Sequence, residues 1–435
     1  MIKNKIFQNA SWIIVCRIAQ AVCGLVITML TARYLGPSNY GLINYAASIV
    51  AFVTPIMKLG FNNILVQEVV QNPEKEGEIF GTAVVMTLCS SVICIVALIT
   101  FVGIADHGEI TTIIVCALYS TILMFQAMEL IQYWFQAKYL SKYVAVVSLC
   151  AYIVVSAYKI FLLASRKNIY WFAISNSLDI MIISLSLLII YKKLGGGKFK
   201  FSLKTAAGMY SRSKYYIVSS LMITVFAQTD KIMLKLMIGE TATGYYSAAV
   251  VCATLTGFIF EAIIDSFRPM IFENMKTGIE YFNKSMIKLY SIVIYLSLLQ
   301  SAFITLFSKP IILIIYGKNY MYAVPALRII VWYSTFCYLG SVRNIWILAQ
   351  NKQKYLSIIN LSGAICNVVL NYILIPVWGI CGAAYASLVT QIFTNVIIGY
   401  VIKPIRENNR LMMNGVKSLE VKLMFEYFLK KVKNK

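Results

Sequence analysis

The chain has 435 residues, of which 60% are hydrophobic and only 13% charged, with a formal net charge of +22. Soluble domains carry about 25% charged residues, and a soluble fold of this length has too little interior to hide so much apolar surface. Composition therefore points to a polytopic membrane protein, whose spans each need about 20 mostly apolar residues.

The opening stretch, MIKNKIFQNASWIIVCRIAQ, sets lysines ahead of an apolar run, as a secretion signal does. Arg17 interrupts that run and the apolar character continues to Leu30, so the segment reads as an uncleaved first span. Helix-length apolar runs cover 9–32, 41–66, 80–103, 111–135, 143–164, 169–191, 210–238, 244–267, 287–308, 322–349, 355–376 and 380–402, twelve in all. The expected architecture is all-α and polytopic: a six-helix half over 1–191, a linker over 192–209, a second six-helix half over 210–402 and a basic tail over 403–435. With the N-terminus cytoplasmic, 27 of the 39 Lys and Arg residues fall on the inner side and 5 on the outer. That asymmetry predicts both termini in the cytoplasm. It also accounts for the basic charge without nucleic acid. The tail is partly amphipathic and is expected on the inner membrane surface, against anionic lipid. Trp134, Trp171, Trp346 and Trp378 sit near span ends, where an amphipathic ring favours the interface.

The linker contains KKLGGGKFKFSLK, which resembles a phosphate loop only in its glycines. Lys192 stands where the first glycine is needed and Phe199 where Ser or Thr is needed, so a flexible connection is expected instead. The ten cysteines lie in or beside apolar runs without a C-x-x-C pair, and His107 is the single histidine. These residues offer no metal site and no Ser-His-Asp triad.

Two short stretches echo each other. A shift of 203 residues lays Gly36 and Gly41 on Gly239 and Gly244, each pair joining the first and second spans of its half. Repeats of six spans have the same orientation, a plan common in transporters with a central path.

Twelve ionisable residues fall inside the spans: Arg17, Lys58, Glu129, Lys159, Asp179, Asp230, Lys231, Lys235, Glu261, Asp265, Arg328 and Arg343. Each costs about 2.5–3.5 kcal/mol at the bilayer centre on insertion scales, so they pair or face water. Helical spacing gathers Arg17 and Gln20 on span 1, and Asn44, Ser48 and Lys58 on span 2. It gathers Gln228, Lys231 and Lys235 on span 7, and Glu261, Asp265 and Arg268 on span 8. A hydrophilic cavity shared by spans 1, 2, 7 and 8 is expected. Two alternatives stay open: Glu261 and Asp265 as ion-pair partners of Lys231 or Lys235, and Lys235 and Arg268 as snorkelling side chains at span ends. A lining of Arg17, Gln20, Asn44, Lys58, Gln228, Lys231 and Arg343 suits an anionic, polyhydroxylated headgroup.

The stretch ARYLGPSNYGLINYAAS and its continuation to Ala83 resemble the N-terminal signature of bacterial polysaccharide flippases (O-antigen or capsule repeat-unit, Wzx-type). QTDKIMLKLMIGETATGYYSAA, Gln228 to Ala249, resembles that family's span-7 motif, an Asp–Lys pair followed by a short turn and Gly-Tyr-Tyr. The family belongs to the superfamily of the MATE multidrug exporters and the lipid II flippase. The resemblance implies translocation of undecaprenyl-diphosphate-linked oligosaccharides across the bacterial cytoplasmic (inner) membrane by alternating access, without cofactor. It also implies proton or sodium coupling, for which Asp179, Asp230, Glu129, Glu261 and Asp265 are the candidates. The polymerase and chain-length proteins of the same pathway are candidate partners, beside membrane lipids. An ion-coupled multidrug exporter and a lipid II flippase are the alternatives on the same fold. An enzyme is disfavoured: the longest outer loop, 308–321, carries no acid or histidine.

Overall fold

The computed structural model describes the helix path from Ile2, the side chain of Gln20, and residues 23–418. Arg17 and the tail beyond Ser418 lie outside the described side chains. Among the described residues every regular element is helical, which is how a chain this apolar satisfies its own backbone polar groups inside a bilayer.

The contacts group the chain into two units, 1–244 and 245–435. The first contains α1 (Ile2–Met57), α2 (Leu65–Gln71), α3 (Glu76–Ala105), α4 (Ile110–Ser120), α5 (Ile122–Glu129), α6 (Gln132–Ala137), α7 (Ser141–Ala164), α8 (Ile169–Lys193) and α9 (Leu203–Met237). It ends with the first turn of α10 (Glu240–Thr254). The remainder of α10 opens the second unit. There follow α11 (Gly257–Thr277), α12 (Ile279–Leu306), α13 (Ser308–Ile315), α14 (Val324–Ala349), α15 (Lys354–Ile392), α16 (Ile398–Val401) and α17 (Arg406–Lys417). A π-helical turn, Phe393–Ile397, joins α15 to α16.

Among the described residues nine helical stretches are long and apolar enough to cross a membrane, or ten with the bent pair α10 and α11 counted as one. Two of the nine are interrupted by glycine. α1 leaves helical geometry at Gly36 (φ 71°, ψ 173°), followed by Pro37, and α15 does so at Gly379 (φ 57°, ψ −132°) after Pro376. A left-handed φ costs glycine little, and proline has no N–H to offer the preceding turn.

Each unit has its own apolar interior. In the first, Leu42, Tyr45, Ile49, Val102, Val115 and Phe172 form one cluster, and Phe61, Phe80, Trp134, Phe135 and Tyr191 another. In the second, Phe260, Met286, Tyr290, Trp346 and Leu411 are joined. Trp346 is thus a core residue of α14 and not an interface anchor, whereas Trp171 and Trp378 are exposed. α17 packs its apolar side onto α12, and its Asn408 accepts a hydrogen bond from the Tyr290 hydroxyl at 2.8 Å. The start of the tail therefore folds back on its bundle.

The linker is tied down at five points, because its glycines let backbone approach backbone. Gly197 N–H donates to the Glu76 carboxylate (3.1 Å), Lys200 N–H to the Gly77 carbonyl (3.2 Å) and Ser202 N–H to the Thr82 hydroxyl (3.1 Å). The Thr205 hydroxyl bonds to Glu78, and the Tyr191 hydroxyl donates to the Gly197 carbonyl (2.7 Å). A Cβ on Gly77 or Gly81 would overlap the carbonyls of Lys198 and Lys200. The flexible connection expected from the glycines is instead a strap laid along the first turns of α3.

Candidate functional site

Asn44 and Ser48 lie on the second arm of α1. Asn44 is half-buried and donates to the Tyr40 carbonyl (2.8 Å); the Ser48 hydroxyl donates to the Asn44 carbonyl (2.8 Å). Lys58 is half-buried one residue beyond α1 and interacts electrostatically with Glu129. α1 packs on α9. There Gln228 and Lys231 are half-buried, and Lys231 interacts with its buried neighbour Asp230. Gln20 is half-buried on the first arm of α1.

The remaining intramembrane charges divide by unit. In the first, Lys159 donates to Asn176 at 3.0 Å and interacts with Asp179, which in turn interacts with Glu129. Lys58, Glu129, Asp179 and Lys159 thus make a charge-balanced interior group, as desolvated charges must. One oxygen of Asp179 is buried without a hydrogen-bond partner. In the second unit, Glu261 and Asp265 are exposed on α11, and Asp265 pairs with Arg268 one turn on (2.9 Å). Asp265 thus pairs within its own helix. Arg343 is buried in α14. It donates to the Thr394 carbonyl in the π-helical turn (2.6 Å), with Asn344 at 3.4 Å. A π-turn breaks the regular helical bonding and leaves carbonyls open to such a donor.

Lys235 departs most from expectation. A snorkelling lysine keeps its ammonium in water, yet this side chain is only 7% exposed. Its Nζ lies 3.3 Å from Asp106, 3.0 Å from Glu109 and 3.5 Å from Glu240. Each carboxylate has a second donor: the Tyr45 hydroxyl on Asp106 (2.7 Å), Thr112 on Glu109 (2.6 Å) and Ser38 on Glu240 (3.2 Å). The Thr112 hydroxyl first, and then Lys235, hold the Glu109 carboxyl below the usual carboxylate range, against partial burial that raises it. Sequence reading missed these acids. Asp106 and Glu109 lie in a loop more than a hundred residues away, and only the cluster of two acids in a four-residue turn hints at a role.

Beside this ion cluster the two echoed turns touch. A Cβ on Gly41 would overlap the Glu240 carbonyl and come within 2.7 Å of the Gly244 nitrogen. A Cβ on Gly244 would overlap the Pro37 carbonyl and come within 3.2 Å of the Gly41 nitrogen. Under the 203-residue shift Pro37 corresponds to Glu240 and Gly41 to Gly244, so the contact is reciprocal.

A family model described as polysaccharide biosynthesis protein matches residues 6–275, more than half of the chain. The chain belongs to the polysaccharide biosynthesis protein family. A relative in Staphylococcus aureus, the capsular polysaccharide biosynthesis protein CapF, is 21% identical over 407 residues, 92% of this chain and 99% of that one. Two solved structures share the fold. The lipid II flippase MurJ in an inward closed conformation has a TM-score of 0.73 at 14% identity, over 95% of this chain and 92% of that one. An inward-facing multidrug resistance MATE transporter of the MOP superfamily has 0.69 at 13%, over 90% and 95%. This member of the family is an all-α polytopic membrane protein with the fold of those two structures.

Proposed function

We propose that the protein is a flippase that carries undecaprenyl-diphosphate-linked oligosaccharide repeat units across the cytoplasmic membrane for O-antigen, capsule or exopolysaccharide synthesis. One observation carries the reading. A chain of this family sets cations and amides at its spanning helices: Asn44 on the second arm of α1, Lys58 just past its end, and Gln228 and Lys231 on α9. Ammonium groups and amides replace the hydration of a diphosphate and of sugar hydroxyls while the polyprenyl tail stays in the bilayer. Gln20 is a further candidate on the first arm of α1, and Arg17 and Arg343 are candidates from the sequence alone.

Counting the bent pair α10 and α11 as one span and splitting α1 at Gly36 and α15 at Gly379 brings the total to the twelve crossings that would leave both termini cytoplasmic. The 27-to-5 distribution of Lys and Arg supports that topology. The Lys235 cluster and the crossed glycines then lie at the outer rim and act as a latch. Alternating access requires the latch to open before cargo leaves. Of the coupling candidates, Asp179 and Glu129 have the strongest claim, being half-buried in one charge group; Asp230, Glu261 and Asp265 follow.

The deciding experiment uses a deletion strain without a second flippase. The lipid-linked repeat unit should accumulate on the cytoplasmic leaflet, and the cloned gene should restore its export. Normal delivery to the outer leaflet in that strain would overturn the assignment. The MATE likeness favours a second reading, an ion-coupled drug exporter. It predicts drug hypersensitivity of the same strain with surface polysaccharide unchanged.

A further inference from the structure

We propose that the strap between α8 and α9 is a binding surface for the anionic phospholipids of the cytoplasmic leaflet. The sidedness rests on the topology proposed above; the surface itself does not depend on the cargo. Along 192–204 the chain carries Lys192, Lys193, Lys198, Lys200 and Lys204, all exposed, and no acid. Among the described residues none of these lysines has a carboxylate within ion-pair distance, because the acids beneath them are committed elsewhere. Glu76 accepts from Gly197 N–H and from Trp134 Nε1–H (3.0 Å) and pairs with Lys138 (3.0 Å), and Glu78 accepts from Thr205. The acids therefore hold the strap by its backbone and leave its ammonium groups facing outward.

Apolar side chains alternate with the cations. Phe201 is 50% and Leu203 76% exposed, while Phe199 lies against Tyr191 (ring centroids 5.4 Å apart), which packs edge-on against Trp134 (4.9 Å). Trp134 and Tyr191 are buried core residues, so Phe199 is anchored to the bundle at the ends of its helices while Phe201 and Leu203 stay outside. A segment there with lysines for phosphates and rings for the acyl boundary complements an anionic bilayer surface. Rigid attachment to α3 keeps this surface presented without the entropy cost of ordering a loose loop.

The test is native mass spectrometry of the full-length protein after exchange into equal amounts of phosphatidylglycerol and phosphatidylcholine. The wild type should retain phosphatidylglycerol in preference. The combined variant K192Q/K193Q/K198Q/K200Q/K204Q should lose that preference by about fivefold or more, since one surface lysine is worth about 1 kcal/mol. The matching five-arginine variant should keep it, and so should K276Q/K284Q/K288Q, which removes exposed charge from the second unit. F201S/L203S should weaken retention with all lysines in place. Excess inorganic phosphate should not displace the lipid. The proposal is overturned if the five-glutamine variant keeps the wild-type preference, if the second-unit variant loses it equally, or if free phosphate strips the lipid. The readout is lipid retention, so it succeeds or fails separately from the flippase assignment.

Discussion

A lysine ammonium held in a spanning helix is costly unless it is paired or wet, and the two lysines near the end of α9 meet that cost differently. Lys231 is half-buried beside Asp230, whereas Lys235 is enclosed by three carboxylates. Lys231→Gln should therefore cut export about tenfold or more, the loss of one charged contact to a diphosphate, with normal protein in the membrane. Lys231→Arg should retain most activity. Surface polysaccharide per cell, normalised to protein amount, measures both. Lys235→Gln removes the common partner of Asp106, Glu109 and Glu240 and acts on the latch instead. The pH dependence follows from Glu109. Its carboxyl titrates below its ordinary value, so its stabilisation is fully present above about pH 4.3 and is lost as pH falls through the lowered value. The melting difference between wild type and Glu109→Gln should be constant at neutral pH and vanish only in strong acid. A difference that disappears near neutrality would show that Glu109 does not stabilise the rim as its charged form. That Asn44 and Ser48 share one helix and Gln228 and Lys231 another was legible in the sequence, because apolar runs of helix length contain them. The partners of Lys235 were not, since no periodicity joins position 235 to 106 and 109.

At the scale of elements the glycines decide what can touch. The echo of Gly36–Gly41 in Gly239–Gly244 is slight as sequence, a few identities in ten residues. In the fold it becomes a mutual contact in which each glycine stands where the other turn's backbone passes. Gly41→Ala forces these backbones apart, an overpacking cost of about 1–3 kcal/mol, and should lower the melting temperature. Gly208→Ala, where a Cβ meets nothing within 4 Å, should not. Equal melting of the two variants would remove the crossing as a structural constraint. The same logic explains the strap. A Gly-rich, Lys-rich run reads as a loose connection, but Gly77 and Gly81 on α3 are what admit it, and they lie more than a hundred residues upstream. At the start of the tail the apolar side of α17 meets α12, a partner that hydrophobic periodicity does not name, while the amphipathic run 421–435 lies outside the described residues.

For the molecule as a whole, twelve apolar runs and a lopsided lysine distribution carry the fold class, because bilayer thickness and positive charge act on any sequence alike. They say nothing about how transport is gated. The latch joins Lys235, Glu240 and Gly244, at the start of the second repeat, to Ser38, Gly41, Asp106 and Glu109 of the first. An export cycle that opens the outer rim must separate these groups each time cargo leaves. Holding Ser38 to Glu240, whose side chains are 3.2 Å apart, should therefore stop export without unfolding the protein. With the ten native cysteines replaced, Ser38→Cys/Glu240→Cys bridged by a short, cleavable thiol cross-linker should abolish delivery of the lipid-linked repeat unit, and reductive cleavage should restore it. Each single-cysteine variant given the same reagent should export normally, which separates cross-linking from simple modification. Sustained export by the cross-linked protein would mean that cargo leaves by a route that does not part the crossed glycines.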